Sequence, residues 1–272
     1  MTPGELASEI GISRAAIYRY EAGAAPKVDT LTLLADRLGV TLPNLLGIGV
    51  EYISSAISFF ERMRQLEEDV DQIRVLFGPV SYLLTTNTFD DYLATVLEES
   101  IPENARHRDQ SIAEIDTLLS ILKMRKATYR SREPSVLSLV SLVELEQFVR
   151  VGFIGSHNPV GVDMAQRKQV ARLEAENIVK LLRQSPIGVQ IGLVVDSMPG
   201  ASFQLFKKGD HTSLALSPFR LGSFANIRLG VAMVSSGPEA VSLHTKMTNR
   251  LWETSLKGEM AADYIEAQIL EN

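Results

Sequence analysis

Cysteine is absent from the 272-residue chain. That absence excludes a disulfide framework, thiolate-held zinc, an iron–sulfur cluster and a cysteine nucleophile together. Histidine is scarce: His107, His157, His211 and His244 are scattered, with no second ligand at helical or hairpin spacing, so neither a metal nor another cofactor is expected. No apolar run reaches the roughly 18 residues of a spanning helix, and residues 1–10 carry neither a basic nor an apolar leader. A soluble cytoplasmic chain with no membrane partner is expected. Positive charge is in deficit, 27 Lys and Arg against 33 Asp and Glu, for a net of −6. This argues against a histone-like, charge-driven nucleic-acid binder, yet an acidic total can carry a small local DNA-reading surface. Proline (11) and glycine (18) are few and apolar residues make up 45%, which rules out wholesale disorder and supplies a real core. The length suits about two domains.

Residues 2–23, TPGELASEIGISRAAIYRYEAG, read as two short helices around a glycine turn. Leu6, Ala7 and Ile10 share one face of the first. Gly11 tolerates the left-handed conformation of a tight C-terminal turn, and the Ser13 hydroxyl can then accept from the free N–H groups of the next helix. With Ala16, Ile17 and Tyr20 turned inward, Arg14, Ala15, Tyr18 and Arg19 stand on the outer face. A third helix is expected over residues 28–38, with Leu31, Leu34, Ala35 and Leu38 as its stripe and Gly39 after it. A short fourth is expected over residues 41–46 with Thr41 as N-cap.

This pattern, ELA, then IGIS, then the I-x-x-Y-E-x-G run from Ile17 to Gly23, Pro26, LxxLADRLGV and the closing LPNLLG, resembles the lambda-repressor and Cro-like (XRE) helix-turn-helix family over about fifty residues. The resemblance implies a double-stranded DNA operator as partner and a recognition helix, residues 13–20, in the major groove. It nominates Ser13, Arg14, Ala15, Tyr18, Arg19 and Lys27. Arg14 would read a base, because a guanidinium can donate two hydrogen bonds to guanine O6 and N7. Arg19 and Lys27 would hold phosphates. The family has one helix ahead of the one starting near Thr2, and that first helix is expected to be missing here. Residues 1–50 hold four basic and five acidic side chains, so one copy should bind weakly and a homodimer is expected.

Residues 50–77 contain no Gly or Pro, and apolar residues recur at 53, 57, 60, 63, 66, 70, 73 and 77. The steps of three and four predict one long connector helix, either a dimer seam or packed on its own C-terminal domain, ended by Gly78-Pro79. The expected division is a helix-turn-helix domain over residues 1–48, the connector over 49–78 and a larger α/β domain with a mixed sheet over 79–272. In that domain helices are expected over 89–99, 111–125 and 163–184, and a closing helix from Gly237-Pro238 to about Leu270. Strands are expected over 135–143, 148–154, 188–195, 202–206, 212–216 and 227–234, with a crossover helix linking the strand at 148–154 to a parallel one at 188–195.

The larger domain shows no dinucleotide, Walker A, nucleophile-elbow or HExxH motif, so no catalytic residue is assigned and no enzyme is expected. His244 and Lys246 match the opening H-x-K of the phospholipase D signature, but the rest of that signature is absent. Lys123, Arg125 and Lys126, with Arg130 and Arg132, concentrate positive charge that would suit an anionic effector or the DNA backbone, although cations are also favoured at a helix C-terminus. Lys207, His211 and Arg220 lie among aromatics and turns in residues 203–220, where a ligand loop or plain core packing fits. The order of parts weakly resembles one-component regulators with an XRE-type reader ahead of a sensor domain. The expectation is a sequence-specific transcription regulator, a repressor more than an activator, whose C-terminal domain senses a small molecule or a partner protein. The alternatives are a reader fused to a degenerate phospholipase D-like enzyme, and an autoregulating antitoxin or phage-type protein-binding module.

Overall fold

The structure is a computed structural model and describes residues 2–39, 42–46, 49–76, 78–157, 159, 161–196 and 198–271. It begins with α1 (Pro3–Glu9), α2 (Arg14–Glu21), α3 (Val28–Leu38) and α4 (Leu42–Leu45). Ala7, Ile17 and Leu34 form a small separate core, with Leu6, Ile10, Ile12 and Leu45 packed on it. Gly39 ends α3 at φ 67, as its position after the apolar stripe predicts. Leu38, expected on that stripe, is 44% exposed. Thr41, the expected cap of α4, and Phe77, the last stripe position of the connector, lie outside the described residues.

The larger domain follows as β1 (Val50–Ile53), α5 (Ala56–Glu67), β2 (Gln72–Leu76), a 3-10 turn (Tyr82–Leu84), α6 (Asn87–Glu99), α7 (Arg108–Arg132), β3 (Ser135–Ser141), α8 (Leu142–Val151), α9 (Met164–Gln184) and β4 (Val189–Val194). After them come β5 (Ser202–Lys208), β6 (His211–Ser217), β7 (Ala232–Ser235), α10 (Pro238–Thr254), α11 (Gly258–Ile265) and a π turn (Glu266–Leu270). The seven strands make one mixed sheet in the order β1-β7-β6-β5-β2-β3-β4. β2, β3 and β4 run parallel, while β5, β6, β7 and β1 pair antiparallel from β2 outward. One sheet face carries the main core, to which α5 to α9 and α11 contribute. The other holds Leu76, Leu137, Leu139, Phe203, Leu205 and Leu214 under α10, through Val241, Met247, Leu251 and Trp252.

Four expectations are corrected. No single helix runs over residues 50–77, because the stripe is shared among β1, α5 and β2. Ser55 starts a new helix by accepting from the Ser58 N–H at 3.4 Å. The acidic run Glu67, Glu68, Asp69 then sits at its C-terminus, where negative charge is disfavoured. Ile53, Phe60, Met63 and Ile73 still reach one core, which is why a strand–helix–strand segment imitated a helical stripe. Residues 148–154 are not a strand: Leu142, Leu145 and Phe148 have helical spacing, Ser141 caps α8 through the Glu144 N–H, and Gly152 ends it at φ 93. The crossover therefore joins β3, not residues 148–154, to β4. The closing helix breaks after Thr254, where Leu256 exchanges backbone hydrogen bonds of 2.9 Å with Leu193 of β4. Gly192 makes room, since Ser255 and Trp252 occupy the space a Cβ there would need. The last strand is also shorter than expected, and residues 218–231 form a loop tied by Asn226, whose amide donates to Pro218 O at 3.0 Å and Leu229 O at 2.7 Å.

Consecutive cations on α7 join the helices to one another. Arg125, 2% exposed, donates from Nε and Nη2 to both oxygens of Glu67 on α5 at 2.9 and 2.7 Å, with Phe60 and Tyr82 alongside its guanidinium. Lys126 donates to Asp90 of α6 at 2.6 Å and to Thr85 O at 3.2 Å. Burial holds the Lys126 pKa below the ordinary lysine value, opposed by its bond to Asp90. Burial likewise raises the Glu174 carboxyl, although Thr86 donates to it from N and Oγ1. Truncating Arg125→Ala leaves Glu67 charged and unmatched in the core and should cost about 3–5 kcal/mol in urea unfolding. The joint replacement Arg125→Met with Glu67→Leu should recover most of that loss, and a joint variant no more stable than the single one would contradict this.

Candidate nucleic-acid interface

The N-terminal unit is built from short-range signals. Thr2 and Glu5 form a reciprocal capping box at the start of α1, and Pro3 occupies its first turn. Gly11 makes the turn at φ 72, and the Ser13 hydroxyl accepts from the Ala16 N–H at 3.2 Å to start α2. Ile17 is buried in the small core, Ala16 beside it is buried and Tyr20 is half-buried. Arg37 of α3 forms an ion pair with Glu9 of α1, which ties the third helix back to the first. That pair uses one of the four basic side chains of the unit and leaves Arg14, Arg19 and Lys27 for the outside.

Arg14, Ala15, Tyr18 and Arg19 are all exposed on α2, on one side of the helix away from Ala16 and Ile17. Sequence reasoning did not foresee the link between two of them. Arg14 donates from Nε at 3.2 Å and Nη2 at 2.8 Å to the Tyr18 hydroxyl one turn later, with its Cζ 5.4 Å from the ring centroid. A guanidinium has five N–H groups in a planar fork, so this bond uses the Nε/Nη2 edge and leaves the Nη1/Nη2 edge without a partner among the described residues. The i, i+4 spacing of Arg14 and Tyr18 was the available signal. Lys27, also exposed, stands at the N-terminus of α3 and makes no cap. Gly4 lies against Arg14, whose Cδ would be 3.9 Å from a Cβ placed there.

The basic run of α7 does not form one cationic surface. Lys123 is exposed, whereas Arg125 and Lys126 point into the core and are matched by Glu67 and Asp90. The α7 stripe turns both inward, so neither is placed for an outside anion. Lys207 and His211 sit at the β5–β6 hairpin, while Arg220 lies past the other end of β6. These three do not converge. His244 donates from Nδ1 to Ala240 O at 2.8 Å and meets Phe203 edge to face at 4.9 Å, and Lys246 is exposed two residues further along α10. Residues two apart on a helix face away from each other.

Residues 1–45 match the Helix-turn-helix family, and the N-terminal unit is an XRE-type helix-turn-helix. No curated protein matches the chain in sequence. Among solved structures the chain aligns with TrmBL2, an archaeal chromatin protein whose structure is described as showing a novel mode of DNA binding, at 12% identity and a TM-score of 0.35. The alignment takes in 89% of this chain and 64% of that one, so this chain spans less than two thirds of its length. No helix among the described residues is long and apolar enough to cross a membrane.

Removing the cap with Ser13→Ala should destabilise α2 by about 1 kcal/mol. Faster hydrogen exchange at the Ala16 amide, with the β3 and β4 amides unchanged, is the expected readout.

Proposed function

We propose that the chain is a sequence-specific, DNA-binding transcription regulator that works as a homodimer, and whose larger domain is a sensor and not a catalyst. The observation that carries this reading is the exposed face of α2, presented by a helix-turn-helix matched over residues 1–45. Tyr18 holds Arg14 by one edge of its guanidinium, and the free edge has the two parallel donors that guanine O6 and N7 accept. Ser13 and Ala15 flank it toward the start of the helix. Arg19 and Lys27 take phosphates.

One reader carries four basic against five acidic side chains over residues 1–50, so its attraction to DNA backbone is small. Two copies on half-sites about one helical turn apart supply what one lacks. Repression is the sign the family resemblance favours. Regulation reaches the reader through β1, which follows α4 in the chain and pairs with β7 at the sheet edge. His244, held by Ala240 and Phe203, and Lys246, on another side of the helix, support the non-catalytic reading of the larger domain.

The test uses DNA enriched from a random-sequence pool by the wild-type chain. Arg14→Ala should weaken the selected site by about 1–3 kcal/mol while leaving nonspecific binding intact. Tyr18→Phe should lose a smaller part of the same specificity. Arg19→Ala and Lys27→Ala should weaken all sequences alike, each lowering the salt slope by about one because one phosphate is no longer neutralised. An Arg14→Ala protein that selects the same site as wild type would refute the recognition helix, and a complex with one chain per site would refute the dimer.

A further inference from the structure

We infer that the cavity between α8 and the 218–231 loop is a binding site for a small zwitterion, an α-amino acid with an apolar side chain. The cavity has a volume of about 160 Å³ and lies past the C-terminal ends of β2 and β3, where Gly78-Pro79 leaves the sheet and α8 begins. Open α/β sheets take their ligands at that end of the parallel strands. Glu144 and Phe148 of α8 form one wall, and Arg220, Ser223 and Phe224 of the loop form the other.

The charges in this cavity are unmatched. Three buried cations of the chain have close partners, Arg125 with Glu67, Lys126 with Asp90 and Arg167 with Glu99. The half-buried Glu144 carboxylate and the exposed Arg220 guanidinium line the cavity from its two walls, and neither makes an ion pair or a side-chain hydrogen bond among the described residues. The Glu144 carboxylate lies against Gly78 so closely that a Cβ at residue 78 has no room. A ligand carrying one charge would satisfy one of these groups and be repelled by the other. A ligand carrying both, with its carboxylate on the Arg220 fork and its ammonium on Glu144, satisfies the two at once.

The loop is held as a binding wall rather than as a simple connection. Phe224 adopts φ 55, a conformation that is a genuine outlier for a bulky residue. Its N–H donates to Ile154 O at 2.7 Å, its ring stacks on His157 at 6.2 Å, and the neighbouring Ser223 hydroxyl donates to Gly152 O at 2.5 Å. These contacts impose the strained residue and turn an aromatic side chain, still 38% exposed, toward the cavity opposite Phe148. The volume is close to that of a roughly 150 Å³ cavity able to hold benzene. An amino acid fits that scale, and a nucleotide or a folded partner does not.

This site deepens the sensor reading of the larger domain and rests on it only for the consequence at DNA. The 218–231 loop leads directly into β7, and β7 holds β1, the strand that follows the reader. A ligand that orders the loop acts on the strand pair nearest the helix-turn-helix unit.

Calorimetric titration and thermal melting of the full chain without DNA, against single L-amino acids at millimolar concentration, tests the site. The comparison set is, for each, the amine lacking the carboxylate and the acid lacking the amine. At least one apolar amino acid should bind and raise the melting temperature, and its two singly charged analogues should not. Arg220→Ala and Glu144→Gln should each weaken binding about tenfold or more, as expected for a lost charge-assisted bond, and neither removes a hydrogen bond of the fold. Arg150→Ala, on α8 but outside the cavity, should bind as wild type. No binding by any amino acid, equal binding by the singly charged analogues, or unchanged binding in both cavity variants would overturn the proposal. Because these titrations contain no DNA, failure of the recognition helix leaves them unaffected, and the Arg14→Ala protein should bind the amino acid normally.

Discussion

The larger domain depends on charges taken out of water in pairs. Arg125 and Lys126 are neighbours on α7, yet they reach different helices: Glu67 at the end of α5 and Asp90 in the first turn of α6. Because adjacent side chains on a helix diverge by about a quarter turn, two such bonds fix both the rotation of α7 and the position of two partners. Apolar contacts tolerate sliding, whereas a bidentate Arg–carboxylate bond does not. The arrangement is costly to break and contributes little net stability beyond a well-packed apolar alternative. Its worth is in specifying one packing of α5, α6 and α7 over the sheet. Glu99 and Arg167 repeat the device between α6 and α9.

That same device explains what the sequence concealed. A run of five cations between residues 123 and 132 looks like a surface patch when only composition is read. The direction each one faces depends on the phase of α7, and the apolar positions Ile115, Leu118 and Leu122 set that phase so that Arg125 and Lys126 continue the buried stripe. Local signals are more legible. The cap at Ser13, the glycine turns at Gly11 and Gly39 and the strand at residues 189–194 each depend on a few adjacent residues, and each appears where expected. The connector failed for the opposite reason. Its stripe is real, but a strand, a helix and a strand lying on one core can reproduce steps of three and four, and only the Ser55 cap and the acidic run after Leu66 distinguish them.

At the candidate interface the helix face was legible and the side-chain pairing was not. The inward positions Ala16 and Ile17 determine which residues face out, and periodicity gives that directly. The Arg14–Tyr18 bond needs rotamers as well as spacing. It matters because a free arginine loses up to about 2 kcal/mol of rotamer entropy when it is fixed on a base. An arginine already held by a tyrosine one turn away has given up part of that freedom before DNA arrives. The unit is acidic in sum, so in the proposed reading its discrimination rests on the orientation of Arg14 more than on net charge.

In the proposed regulator the route between the two halves is the ladder of backbone hydrogen bonds between β1 and β7. β1 is four residues long and lies at the sheet edge, where among the described residues its strand partner is β7 and Glu51 also meets Arg62 of α5. Short edge pairings belong to the low-stability end of a fold, so a modest bias on β7 can change how β1 is held. Couplings of about 1–3 kcal/mol are what allosteric proteins typically transmit, a range comparable to the ordering of one such strand. The rigid lever suggested by residues 50–77 would pass on a rotation, and its packing would have to be rearranged throughout. A four-residue strand pair can change by gain or loss of its own bonds while the parallel core of β2, β3 and β4 stays intact, so in the proposed sensor the adjustable element is this pair, between the 218–231 loop and the N-terminal helices.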